Sequence, residues 1–129
     1  MRVVLDTNVL ISAIFWTGKP KDILNVVRKR KVVFVTSQVL LDSNKPFQLE
    51  ENDAERVVRH IKDLAEIIRV TNRVTVCKHE ADNRVLECAF CGKADYIITG
   101  DKDLLGLKSF EGIKIIKAAG FLNIIHEEN

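Results

Sequence analysis

The chain has 129 residues, a formal net charge of +2 and an isoelectric point near 8.5. Its 47% apolar and 29% charged residues are typical of a folded globular protein and exclude an intrinsically disordered class. No apolar run approaches the roughly 20 residues that cross a bilayer, and the N-terminus has no signal-peptide pattern. We therefore expect a single cytoplasmic domain over residues 1–129. The small net charge permits a nucleic-acid partner without indicating one.

The first half of the chain alternates strand and helix patterns. Residues 2–5 are apolar and β-branched, which is typical of a buried parallel strand. The tripeptide DTN that follows can cap a helix, which continues at helical spacing until a glycine and a proline interrupt it near residue 20. A second helix is predicted over about residues 21–30 and a second strand over residues 32–35. The Thr-Ser pair at residues 36–37 is predicted to cap the next helix.

The second half continues the alternation. Asn52 or Asp53 can cap a long amphipathic helix that extends to about Glu66. A later helix is predicted to begin at Asp82 and to end at Gly92. The remaining predictions are strands at residues 67–70, 96–98 and 113–116, a turn of helix around residue 104, and an apolar tail that packs on the body. This βα alternation predicts a three-layer α/β/α sandwich with a central parallel sheet.

Four aspartates fall where predicted strands meet predicted helices. Asp6 and Asp101 directly follow strands, Asp103 comes two residues later, and Asp82 opens a helix. In open α/β sheets, ligands bind outside the carboxyl ends of the strands. Carboxylates gathered at that edge repel one another unless a cation such as Mg²⁺ or Mn²⁺ neutralises them. Such an ion can activate water and stabilise a phosphodiester during displacement, as in metal-dependent nucleases.

Each aspartate taken alone also suits a helix N-cap or a turn. The joint placement of Asp6 and Asp101 favours the metal site, whereas Asp103 also suits an ordinary turn and Asp95 enters a strand. The cysteines at positions 77, 88 and 91 are odd in number and lack a second C-x-x-C pair, so we expect core helix residues at positions 88 and 91 instead of a disulfide or zinc site. The histidines have no metal-ligand spacing, and we expect them at the surface: His60, His79 and His126.

Three stretches of the chain carry a family resemblance: VVLDTNVLISAIF at the start, DNRVLECAFCGKADYIITGDKDLL in the second half, and GIKIIKAAGFL near the end. Together they cover nearly the whole chain and resemble the PIN domain, a small metal-dependent ribonuclease fold common among toxins of prokaryotic toxin–antitoxin systems. The resemblance implies Mg²⁺ or Mn²⁺ as cofactor, RNA as substrate, a homodimer and a cognate antitoxin. By position, the family's acidic residues match Asp6, Asp82 and Asp101, with Asp103 as an accessory acid and Asn8 and Thr99 as supporting polar residues.

One position departs from the family pattern. Relatives carry a glutamate six residues beyond the serine of the VVFVTS strand, and this chain has Ser43 there. The adjacent Asp42 would point about 100° away around a helix, and the stretch around residues 42–47 is shorter than in relatives. Either Asp42 replaces the missing carboxylate, or the site has three main acids and binds metal weakly. We do not favour Glu50 or Glu51 as the replacement.

Two functions remain open at this stage. The first is a metal-dependent endoribonuclease, and the second is a degenerate PIN domain that serves as an RNA-binding or protein-interaction module. A phospho-acceptor receiver domain fits less well, because Asp6 lacks an adjacent acidic pair. Trp16 and Phe15 could stack on a base, although we favour burial or a dimer contact for both. The cations expected near the acidic edge are Lys19, Lys21, Arg84, Lys93 and Lys102.

Overall fold

A computed structural model describes residues 1–42 and 51–128 of the chain. Strands and helices alternate along it in the order β1 (Arg2–Leu5), α1 (Thr7–Phe15), α2 (Lys19–Arg28), β2 (Val33–Ser37), α3 (Gln38–Asp42), α4 (Glu51–Leu64), β3 (Ala65–Ile68), α5 (Glu80–Cys91), β4 (Tyr96–Ile98), α6 (Lys102–Leu107), β5 (Ser109–Phe110), β6 (Ile113–Ile116) and α7 (Ala118–Glu128). Within the described ranges, no helix is both long enough and apolar enough to cross a membrane.

The strands form one six-stranded sheet in the order β3-β2-β1-β4-β6-β5. All neighbours pair in parallel except β5, which lies antiparallel to β6 at one edge. From β1 the chain builds outward through β2 and β3, and it then returns to the other side of β1 to add β4 and β6. The direction of winding therefore reverses between β1 and β4, the position where open α/β sheets form a crevice.

Alternate residues of the central strands enter two separate cores. In the first core, Val3 and Leu5 of β1 pack against apolar residues of α1, α2, α4 and α7 on one face of the sheet. In the second core, on the other face, Val4 of β1 joins apolar residues of α5 and α6. Phe34 and Val35 of β2 divide between the two faces in the same way. The predicted three-layer α/β/α sandwich with a mainly parallel central sheet is confirmed.

Several predicted element boundaries were wrong by two or more residues. Helix α2 begins at Lys19, because a proline is tolerated in the first turn of a helix and Pro20 occupies it. Helix α4 begins at Glu51, so Asn52 and Asp53 lie inside the helix and do not cap it. The chain enters β3 at Ala65, where pairing with β2 overrides the helical pattern. In contrast, Ser37 does cap α3, since its Oγ accepts the Leu40 N–H at 3.3 Å.

The antiparallel strand β5 was not predicted. It joins β6 through a two-residue turn, Glu111-Gly112, in which both residues have positive φ angles of 49° and 81°. Two positive φ angles are typical of the tight turns that match the twist of a hairpin. The predicted apolar tail forms α7, in which Phe121 is fully buried in the first core.

Gly92 ends α5 as predicted, but for a steric reason. Its φ of −83° is open to any residue, and the left-handed residue is the following one, Lys93, with φ 54°. A Cβ atom at position 92 would lie 2.5 Å from Cγ1 of Val35 and 2.9 Å from the carbonyl oxygen of Cys88. The close approach of the helix end to β2 therefore requires glycine.

We expect Gly92→Ala to lower the free energy of unfolding by about 1–3 kcal/mol, because the added methyl group overpacks a buried site. The matched control is Gly106→Ala inside α6, where nothing lies within 4 Å of the added atom. That change should stabilise the protein by about 0.5–1 kcal/mol through backbone entropy. Urea denaturation of both variants measures the effect, and equal stabilities would contradict the steric explanation.

Candidate functional site

The site lies where β1 and β4 end side by side. Leu5 pairs with Ile98 in the parallel register, and the Asp6 N–H donates to the Ile98 carbonyl at 3.1 Å. The residues that follow, Asp6 and Thr99, therefore emerge next to each other at the carboxyl edge of the sheet. This edge coincides with the reversal of winding described above, where ligand-binding crevices form.

The buried carboxylate of Asp6 caps α1, accepts a hydrogen bond from Thr99 and has a raised pKa. Its Oδ1 accepts the Val9 N–H at 2.9 Å, which caps α1, and its Oδ2 accepts the Thr99 hydroxyl. The side chain is 6% exposed. Burial raises the pKa of Asp6 above its ordinary value, the hydrogen bonds from Thr99 and Val9 oppose that rise, and the charge of Asp101 adds to it. Asp6 is thus both a helix cap and a carboxylate close enough to Asp101 to interact with its charge.

Thr99 connects Asp6 with the start of α6. Its hydroxyl donates to Asp6, and its Oγ1 accepts the Asp101 N–H at 3.0 Å. The residue is 1% exposed. One buried hydroxyl therefore fixes the position of Asp6 relative to the backbone of Asp101. Asn8, the other predicted supporting residue, is exposed and lines the cleft beside Asp6.

Three of the predicted acids converge on a single point. Asp82, Asp101 and Asp103 each offer a carboxylate oxygen within 4.8 Å of the other two. Asp82 lies in the first turn of α5, inside the helix instead of at its start as predicted, and Asp103 lies in the first turn of α6. Asp101 occupies the N-cap position of α6 but makes no capping hydrogen bond with its side chain. The simple capping explanation therefore holds for Asp6 and fails for Asp101.

The carboxylates of Asp82 and Asp101 lie close enough to share a hydrogen bond. Two carboxylates can form such a bond only when one of them holds a proton. Burial, the hydrogen bond that protonated Asp82 can donate to Asp101, and the charges of Asp101 and Asp103 together raise the pKa of Asp82 to about 6, although His79 lowers it. The site is therefore short of positive charge, and oxygen ligands at this spacing fit a hard divalent cation.

A cleft of about 750 Å³ opens beside the acids. It is bounded by Asn8 and Ser12 of α1, Pro20 of α2 and the loop before α5. Its walls also include Asp6, Asp82, Asp101 and His79. Nε2 of His79 lies 3.6 Å from Oδ2 of Asp103. The sequence correctly predicted that His79 is exposed but not that it borders the cleft. The available signal was that His79 precedes Asp82 by about one helical turn.

Asp42 does not join the acids that the described residues bring together. It ends α3, its side chain is exposed, and its Oδ1 accepts a hydrogen bond from Nε2 of Gln38 at 3.1 Å. Ser43, Glu50 and the predicted shortening around residues 42–47 lie wholly or partly outside the described residues. Asp95 is also apart from the cluster, because it accepts the Arg2 N–H at 2.8 Å.

Buried polar residues of α5 hold the helix against the loop that precedes it, and sequence reasoning missed them. Asn83 accepts the Cys77 N–H at 2.7 Å and donates to the Cys77 carbonyl at 3.0 Å. Glu87 accepts the Val74 N–H at 2.8 Å and lies 2.7 Å from Nε of Arg84. Polar side chains on a helix normally face solvent, so the sequence contains no signal for this burial. Arg84 is half-buried and is paired with both Glu87 and Glu80, so its charge is already engaged within α5.

The C-x-x-C pair of α5 behaves largely as predicted. Cys88 is fully buried in the second core, and burial raises the pKa of its thiol to about 12. Cys91 is only partly buried. All three cysteines are free thiols.

Comparison with known proteins agrees with this geometry. The family model described as PIN domain matches residues 2–103. The chain belongs to the PIN-domain family. PIN domains are generally nucleases, and they generally use divalent metals. The acidic cluster of this chain is a suitable set of ligands for such an ion.

Two known proteins are similar to this chain, one in sequence and one in fold. It is 33% identical over 118 residues to the uncharacterized protein MJ1680 of Methanocaldococcus jannaschii, an alignment that covers 84% of this chain and 76% of that protein. Its fold is similar to a chain in the crystal structure of VapBC2 from Rickettsia felis bound to a DNA fragment from their promoter. That similarity has a TM-score of 0.65 at 12% identity and covers 89% of this chain and 97% of the other.

The raised pKa of Asp82 predicts how the stability of the metal-free PIN domain changes with pH. Between about pH 4 and pH 6 the folded protein holds a proton that the unfolded chain has released, so stability falls as the pH rises through about 6. The raised pKa of Asp6 acts in the same direction. In EDTA, we expect Asp82 to raise the melting temperature at pH 5 relative to that at pH 7. Asp82→Asn should remove this part of the difference between the two pH values. Circular dichroism melts of parent and variant measure it, and identical pH slopes would refute the electrostatic account.

Loss of the Asn83 side chain should loosen the loop that borders the site. Asn83→Ala leaves the N–H and carbonyl of Cys77 without their partner, and a buried unpaired backbone group costs about 1–3 kcal/mol. Asn123→Ala, at an exposed position of α7, is the control and should change stability by less than about 0.5 kcal/mol. Chemical denaturation separates the two, and an equally small loss for both would show that the Cys77 contacts do not stabilise the protein.

Proposed function

We propose that this chain is a metal-dependent endoribonuclease that hydrolyses phosphodiester bonds of single-stranded RNA. The proposal rests chiefly on one observation, the convergence of Asp82, Asp101 and Asp103 beside a cleft at the reversal point of the sheet. Burial and the closeness of these carboxylates raise the pKa of Asp82, and they offer no evident stabilisation, since the Asp101 side chain does not cap α6. A divalent cation, Mg²⁺ or Mn²⁺, would relieve that repulsion.

Each residue has a distinct part in this proposal. Asp82, Asp101 and Asp103 would hold the cation, and Asp6 would add a fourth carboxylate from the end of β1. Asp6 already accepts hydrogen bonds from Thr99 and from the backbones of Val9 and Asn8, and a carboxylate has about four lone-pair sites, so one stays available to a cation. Thr99 keeps Asp6 and Asp101 at a fixed separation, and Asn8 would contact the substrate from the wall of the cleft. When bound, the cation would activate water and offset the charge that develops on the phosphodiester.

We also propose that the protein acts in the cytoplasm as the toxin of a toxin–antitoxin pair. Its fold similarity to a chain of VapBC2 and its membership of the PIN-domain family support a cognate antitoxin as partner. A homodimer is the oligomeric state that we propose. The described residues contain no membrane-spanning helix, so no contact with a bilayer is part of the proposal.

A second candidate is a catalytically inactive PIN domain that binds RNA or another protein. The position of Asp42 favours it, because its exposed carboxylate pairs with Gln38 and, among the described residues, no side chain takes the family's remaining acidic position. Without that additional acid, the affinity for metal would be lower. The two candidates differ in whether the bound cation supports cleavage.

The decisive assay is cleavage of a mixed-sequence single-stranded RNA by the purified protein in Mn²⁺. We expect cleavage that EDTA abolishes and that Asp101→Asn reduces by at least about 100-fold, since outer contacts of a metal site alone are worth 10–100-fold. The control is Asp63→Asn, which removes an exposed carboxylate near the end of α4 and should leave the rate unchanged.

Calorimetric titration with Mn²⁺ accompanies the assay and separates the two candidates. Metal binding with cleavage supports the nuclease. Metal binding without cleavage by the parent protein favours the inactive module. Cleavage that persists in EDTA, or equally in the Asp101→Asn variant, would contradict the proposed site.

A further inference from the structure

The exposed tryptophan that follows α1 is unexplained by the fold. Trp16 is the single tryptophan of the chain, and at 62% it has the highest exposure among the large apolar side chains of the described residues. The sequence favoured burial or a dimer contact for this ring; the structure shows it exposed within the chain, and the dimer contact stays a prediction. Removing an indole of this size from water is favourable, so this exposure costs solvation free energy that a partner would recover.

Trp16 follows the helix that forms one wall of the cleft. Asn8 and Ser12 line the cleft and lie four residues apart on one ridge of α1. Trp16 is four residues further along the chain, at the C-cap of α1, where the backbone is extended, and its N–H donates to the Ser12 carbonyl at 3.0 Å. At about 1.5 Å per residue, α1 places it roughly 15 Å from Asp6, the cap at the other end of the helix. This distance is close to four stacked bases at about 3.4 Å each.

The ring has support on one side and solvent on the other. Its neighbour Phe15 is partly buried against the first core and meets Trp16 edge to face, with ring centroids 6.0 Å apart and planes at 72°. Phe15 therefore anchors the indole while leaving most of it accessible. A side chain ordered before binding loses less conformational entropy when a ligand stacks on it.

Charge beside the tryptophan selects the kind of partner. The α1–α2 connection leads from Trp16 to the first turn of α2, which carries Lys19, exposed, and Lys21, half-buried, and Pro20 between them lines the cleft. An exposed aromatic ring next to cations and at the end of a groove combines base stacking with phosphate attraction, as single-strand binding sites do. A second copy of this chain would require the same cations to face each other across a two-fold axis.

We propose that Trp16 is a base-stacking subsite that holds an unpaired nucleotide of the RNA about four bases from Asp6. The inference deepens the proposed function, on which it rests for the direction of the RNA through the cleft. Because stacking uses the face of a base, the subsite would accept any nucleotide and would reject a base-paired one. Trp16 would thus select single-stranded over double-stranded RNA.

The test uses the intrinsic fluorescence of the single tryptophan. The full-length protein is titrated with an eight-nucleotide single-stranded RNA in Ca²⁺, an oxygen-binding cation that neutralises the carboxylates, and a gel verifies that the RNA stays intact. We expect the RNA to quench Trp16 emission. By anisotropy of a labelled RNA, Trp16→Ala should weaken binding about 5- to 150-fold, the range that corresponds to one stacked base. Trp16→Phe should recover part of that loss.

Two controls make the result specific to the subsite. Phe90→Ala removes another exposed aromatic ring, 40% exposed near the far end of α5, and should change the dissociation constant by less than about twofold. A blunt RNA duplex of the same length should bind the parent and Trp16→Ala equally. Melting temperatures confirm that each variant is folded.

Three outcomes would overturn the inference. Unchanged emission at saturating RNA, together with parental affinity of Trp16→Ala, would show that no base stacks there; if Mn²⁺-dependent cleavage persists, the proposed nuclease stands without this subsite. Emission that changes with protein concentration in the absence of RNA, with dimer formation lost in Trp16→Ala by sedimentation, would assign the ring to a contact between two copies. Failure of the parent to bind any single-stranded RNA would reject the subsite and RNA as the substrate together.

Discussion

The pairing of β1 with β4 is the constraint on which the site depends. Thr99 and Asp6 are 93 residues apart in sequence, yet the register that pairs Leu5 with Ile98 makes them neighbours. Each strand is buried on both faces, and a shift of one residue would move every side chain to the opposite core. The hydrophobic cores therefore fix the register, and the register fixes the separation between the first acid and the start of α6.

The three helices that begin at this edge offset part of the electrostatic cost of the acids. Asp6 caps α1, Asp82 lies in the first turn of α5, and Asp101 and Asp103 begin α6. A helix N-terminus carries partial positive charge that favours a carboxylate by about 0.3–1 kcal/mol at an exposed position. That contribution is smaller than the combined cost of burial and repulsion, because the pKa of Asp82 is still raised to about 6. The helix N-termini lower the electrostatic free energy of the cluster, and a cation would neutralise the negative charge that they leave uncompensated.

Positioning of the site depends on buried polar contacts as well as on the sheet. Asn83 and Glu87 of α5 bind backbone groups of the preceding loop, and that loop leads to His79 and the start of the helix. Thr99 performs the corresponding task for α6 through the Asp101 N–H. Each of these contacts gives a hydrogen-bond partner to a polar group that would be costly to bury alone. The acids are thus held by rigid elements, whereas the α1–α2 connection with Trp16 forms an open border.

The sequence by itself determined the types of most elements, the sandwich fold and the four aspartates at the junctions, because periodicity and capping are local properties. Local pattern also indicated the end of α5 at Gly92 and the cap at Ser37. Only the tertiary structure decided that the Asp101 carboxylate lies beside Asp82 and does not cap α6, that His79 borders the cleft, and that Asp42 lies apart from the other acids. It also decided that Asn83 is buried and Trp16 is exposed. Each of these depends on contacts between distant segments, whose free energies of burial and pairing override what neighbouring residues favour.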